Sequence, residues 1–135
     1  MNGNVFIDTN LLVYSYSYAE PEKQRIAQQL ISGDTSFIST QVLQELANTL
    51  TKKFKFTFAD AIKAINESRD NSILHINTES TIVQACKVAE RYGFSFYDSL
   101  IISAALECEC VILYSEDMNN SQVIEKKLKI VNPFP

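Results

Sequence analysis

Residues 4–16 read NVFIDTNLLVYSY, and the first five of them decide the fold. Val5, Phe6 and Ile7 are a short apolar run that stops on an acid, Asp8, which is the pattern of a strand buried on both faces. Parallel α/β sheets are made of such strands and form their sites just beyond the strands' carboxyl ends. Asp8 is therefore both a strand end and a candidate site residue.

Outward from this stretch, residues 35–39 (TSFIS), 72–76 (SILHI), 111–114 (VILY) and 129–131 (KIV) also read as strands. Between them lie helical patterns. Residues 22–31 follow Pro21, place Ile26, Ala27, Leu30 and Ile31 on one stripe, and stop near Gly33. Thr40 is expected to cap a helix with Leu43, Leu46, Ala47 and Leu50 on one face. Thr57 and Asp60 are spaced as a capping box, ahead of Phe58, Ala61, Ile62 and Ile65 in register. A helix over 79–92 should bury Ile82, Ala85, Cys86 and Ala89 and end at Gly93. The next, over 97–108, is apolar nearly all round and should be buried on most sides. This alternation predicts an α/β fold: one domain over 1–135 with a central, mostly parallel sheet flanked by helices.

Composition agrees with one folded domain. Of 135 residues, 46% are apolar and 21% charged, so wholesale disorder is excluded. The start of the chain lacks the basic segment and cleavage site of a secretory signal, and no run nears the ~18 apolar residues of a membrane span. The expectation is a soluble, cytoplasmic protein. A net charge of −4 argues against a general nucleic-acid coat, but not against an enzyme that touches nucleic acid at one spot. Three cysteines cannot build a disulfide framework, and zinc would need all of them together with His75, the one histidine. Cys86, Cys108 and Cys110 are read as small buried hydrophobes, and His75, between Leu74 and Ile76, as structural.

Three distant segments bring acids toward one rim. Asp8 ends the first strand, Glu116 and Asp117 follow VILY with Ser115, and Asp98 lies in the first turn of the apolar helix. Each has an ordinary reading alone: an Asx-turn for Asp8, a cap for Asp98, a solvated turn for the Glu116–Asp117 pair. Together they carry a cost. Two carboxylates ~4 Å apart repel by ~4 kcal/mol at an effective dielectric of ~20. Several such pairs rival a whole domain's stability of ~5–15 kcal/mol. Raised pKa values, a basic neighbour or divalent cations must relieve them. Oxygen ligands without histidine favour Mg2+ or Mn2+ over Zn2+ and suit in-line phosphoryl displacement.

Taken in order, FIDTNLLVYSY, FISTQVLQELANTL, FSFYDSLIISAALECEC, VILYSEDM and the closing KIVNPF resemble a PIN domain, nearest to the toxin ribonucleases of VapBC-type toxin–antitoxin systems. The resemblance spans nearly the whole chain. It implies four acids in one pocket: Asp8, Glu45 in its x-E-L context, Asp98 and Asp117. Asp8, Asp98 and Asp117 would bind one or two Mg2+ or Mn2+ ions, and Glu45 would orient or deprotonate the attacking water. Thr9, Asn10 and Ser115 would steady ligands and water, with Glu116 flanking and able to substitute. Periodicity alone makes Glu45 a solvated glutamate; only the resemblance promotes it. The implied reaction is hydrolysis of RNA phosphodiesters. The implied partners are RNA, a small antitoxin protein and a second copy of the chain in a homodimer, with no membrane.

Other residues keep plainer readings. Lys52, Lys53 and Lys55, interleaved with Phe54 and Phe56, suit either RNA contacts or a solvated helix end, and the solvated end is preferred. Lys126, Lys127 and Lys129 are read the same way. Tyr14, Tyr16 and Tyr18 have two placements open to them, the pocket mouth or a subunit interface. A haloacid-dehalogenase-like domain would need D-x-D where this chain has Asp8-Thr9-Asn10. A response-regulator-like domain would need paired acids and a late-strand lysine that find no match. The remaining alternative is a non-catalytic PIN-fold module that binds RNA or protein.

Overall fold

The computed structural model describes residues 3–33 and 35–135. Its elements run β1 (Val5–Ile7), α1 (Thr9–Ser15), α2 (Pro21–Gly33), β2 (Ser36–Ser39), α3 (Thr40–Lys52), α4 (Phe58–Asn71), β3 (Ile73–His75), α5 (Glu79–Tyr92), α6 (Phe96–Glu107), β4 (Ile112–Tyr114), β5 (Val123–Ile124) and β6 (Leu128–Val131). The strands form one sheet in the order β3-β2-β1-β4-β6-β5. Every neighbouring pair is parallel except β5 with β6. The fold is the expected α/β architecture, with β1 and β4 side by side at the centre.

Phe6 and Ile7 of β1 and Leu113 of β4 are fully buried, as strands covered on both faces require. Register places Ile7 opposite Tyr114, so the residues that follow, Asp8 and Ser115, emerge together at one edge. The Asp8 N–H donates to the Tyr114 carbonyl at 3.1 Å and fixes that juxtaposition. Helix α6 buries seven consecutive residues, Ser99–Ala105, as its near-uniform apolarity predicts, and packs most extensively against α5. Gly93 caps α5 at φ 81°, the left-handed conformation a glycine adopts without strain.

The structure departs from the sequence reading at several elements. Helix α1 was not expected; it forms because Asp8 caps it, its side chain accepting from the Thr9 N–H. Ser39, not Thr40, caps α3. The buried stripe of α3 is Val42, Leu46 and Leu50, flanked by buried Gln41, while Leu43 and Ala47 are only half-buried. Thr57 does cap α4, yet Phe58 and Ile62 face solvent and the small side chains Ala61, Ala64 and Ser68 face inward. On α5 the buried stripe is Thr81, Ala85 and Val88, which turns Ile82 and Cys86 outward. Of the cysteines, only Cys110 is buried; Cys108 is half-buried, and all three are free thiols.

The hairpin β5–β6 also went unread. Its turn places Glu125 and Lys126 at φ 53° and 58°, with the Lys127 N–H donating to the Ile124 carbonyl at 3.0 Å. Such a turn usually advertises itself with Asn-Gly. Here the Tyr92 hydroxyl, 33 residues away, accepts from the Glu125 N–H at 3.0 Å and donates to its carboxylate at 2.7 Å. His75, at the end of β3, pairs with Glu107 at the end of α6, its Nε2 3.0 Å from the carboxylate, in keeping with a structural role. Among the described residues no helix is long and apolar enough to cross a membrane.

Candidate active site

At the carboxyl edge of β1 and β4 lies a cleft of about 610 Å³ lined by residues of α1, the end of α3, the start of α6 and the turn after β4. Asp8, Glu45, Asp98 and Asp117 all line it, with Thr9, Asn10 and Glu116. Ser115 lies directly beneath, fully buried. The topology thus gathers the sequence's candidate residues at one place.

Asp8 is 8% exposed at the floor of the cleft. The Thr9 N–H donates to Oδ1 at 2.7 Å and the Ser115 hydroxyl to Oδ2 at 2.8 Å, so both oxygens are held from the protein side. Burial pushes the carboxyl up to about 6, and the charges of Glu45 and Asp98 push the same way against those two hydrogen bonds. Asp98, half-buried in the first turn of α6, is also raised, first by burial and then by the charges of Asp117 and Glu45. Asp8, Glu45, Asp98 and Asp117 therefore form one electrostatically linked set.

Glu45 corrects the periodicity argument. The stripe of α3 is rotated toward Val42, which leaves Glu45 half-buried beside it. The Thr9 hydroxyl donates to Oε1 at 2.5 Å, and Gln41, one turn earlier on α3, donates to Oε2 at 3.2 Å. Gln41 also reaches the Tyr97 carbonyl at 3.1 Å, which joins α3 to the start of α6 next to Asp98. The Asn10 amide donates to Asp117 Oδ2 at 3.0 Å and ties α1 to the turn after β4. Among the described residues none of the four acids forms an ion pair.

Glu116 is placed differently. Lys23 Nζ contacts its Oε2 at 2.5 Å, and the Tyr14 hydroxyl donates to Oε1 at 2.6 Å. Lys23 also sits 4.7 Å over the Tyr14 ring and 5.3 Å over that of Phe134. Burial would raise the Glu116 carboxyl, but these donors outweigh it and hold the group below the ordinary range.

The PIN domain family model matches residues 5–125. The chain belongs to this family. Solved structures that share the fold of this PIN domain include two toxin-system proteins. The Mycobacterium tuberculosis VapC20, a toxin that cleaves the sarcin–ricin loop, is 18% identical, with a TM-score of 0.65 over 84% of this chain and 89% of that one. VapBC2 from Rickettsia felis, bound to a DNA fragment from its promoter, is 18% identical, with a TM-score of 0.62 over 84% and 88%. No curated protein is a significant match in sequence.

The acids of the PIN domain suit a hard cation in kind. They are all oxygen donors, burial and then the neighbouring carboxylates raise Asp8 and Asp98, and among the described residues the buried oxygens Asn10 Oδ1 and Gln41 Oε1 beside them have no hydrogen-bond partner. Among the described residues, however, no three carboxylate, imidazole or thiolate side chains stand close enough to hold a metal ion as they are.

Sequence reasoning passed over Gln41, although its place four residues before Glu45 on one helix was a usable signal. It had no signal for Lys23, whose partner Glu116 is 93 residues away. It left Lys53 and Phe54 open to RNA contacts but preferred a solvated helix end; Lys53 is indeed exposed at the end of α3, and both residues also line the cleft. Of the tyrosines, Tyr14 lines the cleft, Tyr16 bonds to Glu67 away from it, and Tyr18 is 85% exposed.

Proposed function

We propose that this PIN domain is a Mg2+- or Mn2+-dependent endoribonuclease of the cytoplasm, the toxin of a toxin–antitoxin pair. The observation that carries the reading is the convergence of Asp8, Glu45, Asp98 and Asp117 on one cleft, with no ion pair to balance them among the described residues. The shared fold with a ribosomal-RNA-cleaving toxin supports it.

Asp8, Asp98 and Asp117 would hold the cation. When bound, one or two such ions supply the positive charge that in-line displacement at a phosphodiester requires. Ser115 and Thr9 fix Asp8, and Asn10 steadies Asp117. Glu45, whose two oxygens accept from Thr9 and Gln41, would orient the attacking water and take its proton. Glu116 is committed to Lys23 and stays outside the ligand set.

The same reading includes a small antitoxin and a second copy of the chain as protein partners. An acidic cleft accepts an arginine or lysine from an antitoxin, and the exposed pair Phe58 and Ile62 on α4 offers an apolar surface for a partner. The test is to incubate partner-free protein with total RNA in Mg2+ or Mn2+ and sequence the fragment ends, with Asp8→Asn protein and EDTA as controls. Defined ends that vanish in both controls are expected. A well-folded wild type that cuts no RNA would leave only a non-catalytic binding module.

A further inference from the structure

The charged side chains that line the cleft are nearly all acidic. The four acids, Glu20 and Glu116 line it, and the only basic side chain among its lining residues is Lys53. Among the described lining residues, Lys53 is therefore the side chain that can attract the phosphate of a polyanion entering this cleft. Lys23, the other nearby cation, is engaged by Glu116 and Tyr14. Among the described residues Lys53 makes no ion pair, and its Nζ lies 5.8 Å from the ring centroid of Phe54.

Phe54 packs against the core and also lines the cleft, so it is an anchored aromatic surface beside the exposed charge of Lys53. The second aromatic of the cleft, Tyr14, is already covered by Lys23 on its face and by the edge contact with Phe134, centroids 5.2 Å apart. The backbone holds the corner in place. Lys55 adopts φ 61°, uncommon for a residue with a Cβ, and the Phe56 N–H closes back onto the Leu50 carbonyl at 3.0 Å. Phe56 then packs on the core, which sets the direction of the preceding residues.

We propose that Lys53 and Phe54 form a nucleotide subsite that takes one unpaired base and its phosphate from single-stranded RNA. The ring stacks the base and the ammonium leaves the ring to meet the phosphate. A duplex cannot use the subsite, because its bases are stacked inside. RNA as the ligand rests on the ribonuclease reading above; the pairing of aromatic and cation does not.

The test measures binding of a fluorescent single-stranded RNA of about 12 nucleotides to full-length Asp8→Asn protein in Mg2+. Phe54→Leu keeps the apolar packing and removes the ring. It should weaken binding by about 5- to 100-fold with the melting temperature retained, and Phe54→Tyr should restore it. Lys53→Ala should weaken binding and lower the slope of log affinity against log salt by about 0.7, while Lys63→Ala, an exposed lysine outside the cleft, should do neither. Duplex RNA of the same length should bind more weakly and not respond to Phe54→Leu. Unchanged affinity in both Phe54→Leu and Lys53→Ala overturns the subsite, even if wild-type protein cleaves RNA. Binding that depends on both residues in a protein that never cleaves supports the subsite and overturns the ribonuclease reading instead.

Discussion

Glu116 and Asp117 are consecutive residues of one turn, yet they belong to two differently built clusters. Glu116 faces Lys23, the Tyr14 hydroxyl and, through Lys23, the ring of Phe134; its carboxyl is held low despite burial. Asp117 faces Asn10 and belongs to the set with Asp8, Glu45 and Asp98, where burial and like charges hold Asp8 and Asp98 high. The first cluster is balanced within the chain. The second has no ion-pair partner among the described residues. Balanced charge at a surface turn ties elements together, whereas gathered like charge costs stability and persists where a site needs it.

The largest effect expected from breaking the second cluster is on activity. Asp8→Asn and Asp98→Asn should each lower metal-dependent RNA cleavage by at least about 100-fold, read as initial rates on one defined RNA. Glu116→Gln should leave the rate within a few-fold of wild type. Equal losses in all three would merge the two clusters into one.

Stability should move the other way. The Asp8 carboxyl titrates near 6 in the fold, above its usual 3.8, so the stability it confers when protonated is complete below about pH 3.8 and lost as pH rises through 6. A shift of this size corresponds to about 3 kcal/mol at neutral pH and above. Without metal, Asp8→Asn should therefore be more stable than wild type at pH 8, by up to that amount, and the gain should fade toward pH 4. Thermal melting across that range checks it, and a destabilised mutant at pH 8 would count against the strained floor.

The smallest effect concerns the balanced cluster. Lys23→Met should lower the melting temperature modestly at neutral pH. Because the Glu116 carboxyl is depressed, the stability it supplies is present above its usual 4.5 and lost as pH falls through its lowered value. The difference between Lys23→Met and wild type should thus close in acid. A difference that persists there would assign Lys23 to packing against Tyr14 and Phe134 instead.

How much of this was legible in the sequence depended on the range of the interactions. β1, β4 and α6 were readable because buried parallel strands and a helix apolar on all sides leave a local mark. Asp8, Asp98 and Asp117 followed from strand ends and a helix start. Glu45 did not, since its place depends on how α3 rotates against the sheet, which Val42 and Gln41 settle only in three dimensions. The small inward side chains of α4 likewise left Phe58 and Ile62 outside, against the expectation that larger apolar residues mark the buried face. The β5–β6 hairpin depends on Tyr92 for its turn, and the Lys23 pair on a contact between α2 and the far end of the chain.

The most direct test of an unbalanced acid set beside a balanced one is the shift in melting temperature that Mn2+ produces at pH 7.5, each protein measured against its own metal-free value. Wild type should gain several degrees, since a ligand at about 100 times its Kd adds about 2.7 kcal/mol. The gain should shrink sharply in Asp8→Asn and Asp98→Asn and stay whole in Glu116→Gln. An undiminished gain in Asp8→Asn, or its loss in Glu116→Gln, would place the cation elsewhere and contradict the account.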